Sequence, residues 1–95
     1  MRKMFWTSEA KQDRDEIYDH IEADNPAAAL THDELFVKNA GHLIEHPGLG
    51  RPGRVKGTRE LVVHPNYILI YDLIDDRVRV LRVLHSARQW PPAKH

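Results

Sequence analysis

One stretch constrains this chain more than any other. From Arg59 to His85 it reads RELVVHPNYILIYDLIDDRVRVLRVLH, three apolar runs cut by two turn signals. His64-Pro65-Asn66 makes the first turn: Pro65 fixes its own φ and cannot donate to a ladder, and Asn66 tolerates left-handed φ. Asp75-Asp76 makes the second. The runs are rich in Val, Ile, Leu and Tyr, so they read as strands over 60–63, 67–73 and 77–84. Connections this short force antiparallel neighbours. Both faces of the last strand carry apolar residues: Val78, Val80, Arg82 and Leu84 on one, Arg79, Leu81, Val83 and His85 on the other. That strand is therefore expected inside the sheet and covered on both sides. Helices can close one side; the chain's own tail or a partner must close the other. Without a bulge, Arg82 and His85 point to opposite faces.

Upstream, Met4-Phe5-Trp6 reads as a short strand, possible at a sheet edge. Ser8 can cap a helix whose first turn holds Glu9 and whose apolar stripe is Ala10, Ile17, Tyr18 and Ile21. Asn25-Pro26 restarts the chain as an N-cap followed by proline at the first helical position. The second helix should run to about His46, with Ala29, Phe36, Ala40 and Leu43 as its stripe and Leu30, Val37 and Ile44 widening it. The two helices, joined almost without a loop, should form an antiparallel hairpin. Leu49 to Arg59 carries three glycines and four bases with no acid, and reads as an irregular exposed connector. After the last strand, Pro91-Pro92 prevents regular continuation. The expected fold is α+β: a helical hairpin packed on a mostly antiparallel four-stranded sheet, in the order β-α-α-β-β-β, as one domain over residues 1–95.

The chain is neutral overall, but residues 1–35 hold nine acids and four bases, and residues 51–95 hold nine bases and four acids. A basic half can bind polyanions locally. There is no cysteine, so disulfides and thiolate chemistry are excluded. No apolar run approaches the roughly 20 residues of a membrane span, and MRKMFWTSEAK does not read as a signal peptide. A cytoplasmic protein with no membrane partner is expected. Seven histidines are present, but no HExxH-like spacing occurs, so no metal site is expected. His20 and His32 read as solvent-facing, His64 as a turn residue, and Arg82 as a salt-bridged residue with Glu60 as a partner.

The stretches GRPGRVKGTRELVV, YILIYDL and VRVLRVLHSARQWP, with Asn25-Pro26-Ala27-Ala28 and His46-Pro47-Gly48, resemble the RelE/ParE superfamily of toxins from type II toxin–antitoxin modules. The resemblance covers nearly the whole chain. It implies a growth-inhibiting toxin neutralised by a cognate antitoxin. It also implies one of two targets: mRNA on the ribosome, cut by RelE-like members as metal-independent endoribonucleases, or DNA gyrase, inhibited by ParE-like members without catalysis. No cofactor is implied. On the ribonuclease reading, which leads by a small margin, His85, Arg88 and Arg59 are the catalytic candidates. Arg51, Arg54, Lys56 and Trp90 are then the nucleic-acid contacts, and Trp90 has packing on the sheet as its alternative. The 2′-OH of the RNA would attack, and protein groups would exchange protons and stabilise the phosphorane. Two departures favour gyrase: Tyr67 is followed by Ile68 where ribonuclease members carry arginine, and the chain is neutral. A degenerate toxin that keeps only antitoxin binding is the third reading.

Overall fold

The structure, a computed structural model, describes residues 2–87. Its elements are β1 (Lys3–Trp6), α1 (Ser8–Glu22), α2 (Pro26–Glu45), β2 (Arg51–Pro52), β3 (Thr58–His64), β4 (Tyr67–Ile74) and β5 (Arg77–His85). The five strands form one sheet in the order β1-β5-β4-β3-β2. β1 runs parallel to β5, after a crossover through both helices, and every other pairing is antiparallel. The sheet has one strand more than expected. The extra strand, Arg51–Pro52, pairs with Glu60 and Arg59 of β3. It lacks apolar alternation, and its proline is tolerated because it sits at an edge. β2 reaches no further along β3, so among the described residues Leu61 to His64 have no strand on their outer edge, which a register shift between Val62 and His64 breaks.

Thr7, not Ser8, caps α1: its Oγ1 accepts from Ala10 N at 3.1 Å and donates to Leu81 O at 2.8 Å. Asn25 caps α2, accepting from Ala28 N at 3.1 Å, with Pro26 at the first helical position. Ala29, Phe36, Ala40 and Leu43 are buried as the stripe requires. Leu30 and Val37 instead face outward, 53% and 45% exposed. Each sits one residue, or about 100°, beyond the buried line, outside the arc that meets the sheet. Phe36 and Ala40 join Tyr67, Leu69, Val80 and Val83 in one core cluster; Leu43 joins Tyr71 and Val78 in another.

The connector after α2 is less irregular than its glycines suggest. Gly50 and Thr58 are buried and Arg59 is half-buried. Gly50 N donates to Tyr71 Oη at 2.8 Å, and that hydroxyl donates to Pro47 O at 2.7 Å. A Cβ at Gly50 would lie 2.8 Å from the Tyr71 ring, so only glycine fits.

In β5 the strict alternation fails. Ile70 pairs with Arg82 but Tyr71 pairs with Val80, leaving Leu81 as an extra residue. The bulge puts Val83 on the same face as Val78 and Val80, toward the helices, and parts all three from Arg82 and Leu84. β1 ends at Trp6 opposite Val80. Beyond that point the edge of β5 is served by α1. Thr7 N donates to Val80 O at 3.1 Å, and Asp13 Oδ2 accepts from Val83 N at 2.9 Å. Arg82 forks onto the same carboxylate at 2.7 and 3.0 Å. Glu60, the partner expected for Arg82, instead takes Arg51 at 3.1 Å. The hydrogen bond with Asp13 raises the Arg82 pKa above its ordinary value, with Glu9 and Glu16 adding to the effect.

Replacing Asp13 with Ala strands a guanidinium and a buried N–H together. Urea unfolding should show a loss of about 3–5 kcal/mol. Tyr71→Phe leaves both Gly50 N and Pro47 O without this partner and should cost about 1–3 kcal/mol.

Candidate functional site

The turns after β3 and β5 lie side by side. His64 pairs with Tyr67, and Tyr67 with His85, so three side chains form a row across β3, β4 and β5. Tyr67 is buried, and its ring is the hub: centroids lie 5.4 Å from Phe36, 5.6 Å from His85, 5.8 Å from His64 and 6.0 Å from His32. His32 and His64 approach to 4.7 Å. His32 was expected in solvent. It is half-buried because it stands on the side of α2 above this row, its Nδ1 donating to Ala28 O at 2.7 Å. His20 is exposed, and with Asp13, Glu16 and Asp24 it walls the depressions that His85 enters.

Both strand-end histidines close their own turns. Asn66 N donates to His64 Nδ1 at 3.0 Å, and Ala87 N donates to His85 Nδ1 at 3.1 Å. Ser86 N donates to Asn66 O at 2.7 Å, tying the two turns together. A ring nitrogen that accepts a backbone N–H carries no proton, so each neutral ring holds its hydrogen on Nε2. The outward nitrogen of His85 is thus a donor. To act as a general base it would need the other tautomer, which sets two N–H groups head to head.

The structure does not bring Arg59 to His85. Arg59 pairs with Tyr71, four residues along β4 from Tyr67, about 13 Å at the usual strand rise. Its Nη1 donates to Gly50 O at 2.7 Å, which holds the connector. Arg51 is exposed and engaged with Glu60. Arg54 and Lys56 are exposed at the far end of the sheet and form no ion pair among the described residues. Arg88 and Trp90 lie outside the described residues. Nearer the histidines, Arg14 is held by Asp33 at 2.9 Å, and that hydrogen bond raises its pKa. Among the described residues no group of three or more His, Cys, Asp or Glu is placed to hold a metal ion. Sequence reasoning missed Tyr67 and Asp13. Asp13 left a signal, a carboxylate three residues after Ala10 and four before Ile17, inside the apolar stripe.

The family profile described as "ParE toxin of type II toxin-antitoxin system, parDE" matches residues 4–90. The chain belongs to the ParE toxin family. It is 41% identical over 91 residues to putative toxin Y4kP of Sinorhizobium fredii, covering 95% of this chain and 94% of that protein. It is 35% identical over 88 residues to toxin RelE2 of Caulobacter vibrioides, covering 93% and 99%. Its fold matches the chromosomal ParDE toxin–antitoxin system of P. aeruginosa with a TM-score of 0.81 at 28% identity, covering 90% and 96%. This ParE-family chain is therefore a type II toxin of the RelE/ParE superfamily, built on the α+β scaffold its sequence implies.

The tautomers in this ParE-family toxin can be read directly. Long-range ¹H–¹⁵N spectra above the histidine pKa should show Nδ1 unprotonated and Nε2 protonated in His64 and His85, and the reverse in His32. His85 in the opposite tautomer would return it to the role of base.

Proposed function

We propose that this toxin arrests growth as a ParE-like, non-enzymatic inhibitor of DNA gyrase in the cytoplasm, held inactive by a cognate antitoxin until release. The observation that carries the reading is the state of His85. Its Nδ1 is spent on the Ala87 N–H and its outward nitrogen is a donor. The described charges lining the depressions beside it are the carboxylates Asp13, Glu16 and Asp24, with the one nearby guanidinium, Arg82, already committed to Asp13. RNA cleavage through the 2′-OH needs a proton acceptor and a cationic cradle for the phosphorane. Arg59, the nearest candidate in the described chain, supports the connector at the other end of the sheet. The match to the ParE profile and the close fit to the ParDE fold support the same direction.

The antitoxin has a natural seat on the sheet face away from the helices. Alternation places Phe5, Val62 and Ile74 there, each about half exposed. Phe5 and Ile74 flank the Asp72–Arg79 pair, whose bond at 2.6 Å raises the arginine's pKa, while Val62 stands opposite Ile68 further along the face. An amphipathic segment would bury this face without displacing the core.

Supercoiling assays and transcript mapping after induction decide the target. The expected result is inhibited supercoiling, intact transcripts, and a His85→Gln variant within about threefold of wild type in both. Acid–base catalysis contributes about 10²-fold or more, so transcripts cut by wild type and spared by His85→Gln to that degree would instead establish the ribonuclease.

A further inference from the structure

The end of the sheet opposite the histidines carries a second surface. Pro47 and Gly48, Gly57, Arg59 and Leu73 surround a cleft floored by Tyr71. Leu73 is 42% exposed at its wall, and Leu49 and Val55 are exposed in the adjoining segments. The connector that presents the cations is not loose. Gly53 N donates to Thr58 O at 2.8 Å, Thr58 N to Val55 O at 3.0 Å, and Thr58 Oγ1 to the same carbonyl at 2.6 Å. Gly57 turns it at φ 87°. Arg54 and Lys56 are exposed on this tied segment, next to Gly57 at the cleft's wall, so their backbone is ordered before any partner arrives.

We propose that this cleft is where the toxin docks on its target, and that the matching surface is an acidic patch of gyrase from which one apolar side chain enters between Leu73 and Pro47. The inference rests on the gyrase reading and adds the contact face to it. Cations beside exposed aliphatic residues fit a protein interface, which has an apolar centre and a polar rim. A phosphate backbone gains nothing from Leu49, Val55 or Leu73. A single-stranded ligand is usually held by aromatic stacking, and no exposed aromatic residue stands at this cleft among the described residues. Of the nearby acids, Glu60 is occupied by Arg51; Asp75 and Asp76 lie in the β4–β5 turn, and Glu45 ends α2 before Pro47.

The test is direct titration of purified gyrase holoenzyme against wild type, R54E/K56E and L73S toxin, with antitoxin affinity and thermal midpoint as controls of folding. R54E/K56E should weaken gyrase binding about tenfold or more and L73S about threefold or more, with both controls unchanged. Wild-type affinity should fall between about 50 mM and about 200 mM salt, and the double variant should lose most of that dependence. If both variants bind gyrase like wild type, the face is wrong while the gyrase reading stands. If wild type does not bind gyrase at all, the reading and the face fall together. Variants that lose antitoxin or duplex DNA binding instead, with gyrase binding intact, would assign the cleft to those ligands and overturn the proposal.

Discussion

The carboxylate of Asp13 does the work of a missing strand. β5 is nine residues long and β1 only four, so over half of one β5 edge would face α1 with its backbone polar groups unpaired. A buried N–H without a partner costs about 1–3 kcal/mol, and a sheet that ended there would fray. Asp13 takes the Val83 N–H and the Arg82 fork, and Thr7 takes the Leu81 carbonyl. The N-terminus of α1 is thereby anchored to the strand that holds His85. Relative placement of helix and sheet follows from this bridge more than from the apolar stripe, because Ala10 is small and Ile17 and Ile21 are only partly buried.

Much of this was legible in residues. The three hairpin strands appear within two residues of their expected ends, because proline, asparagine and paired aspartates punctuate runs of β-formers. The α2 cap was equally plain in Asn25-Pro26. Illegible were features that depend on three dimensions. A bulge at Leu81 has no composition of its own, yet it reassigns every later side chain of β5 to the other face. Arg51–Pro52 becomes a strand only because Glu60 and Arg59 lie opposite. Arg59 looked like a catalytic cation because nothing in the sequence says that its donor is spent on Gly50 O.

The same limit explains the site. His32, His64 and His85 are far apart in the chain and converge only through the register of β3, β4 and β5 under α2. Histidines at strand ends suggest proton chemistry to a reader of sequence. Here the geometry gives two of them a structural duty, closing turns through Nδ1. The sheet then carries an aromatic cluster at one end and the exposed cations Arg54 and Lys56 at the other. A scaffold divided in this way can keep its antitoxin contacts while one end drifts toward a new target.

The open edge of β3 has a consequence for the released toxin. Among the described residues no strand pairs with the outer edge of Leu61 to His64, and Val62 is exposed beside it. Such an edge invites strand-to-strand assembly between identical molecules. The register shift before His64 bends the strand out of line, and the opposite edge is protected by the brevity of β1. Among the described strands, neither margin offers a long straight template on which copies can polymerise.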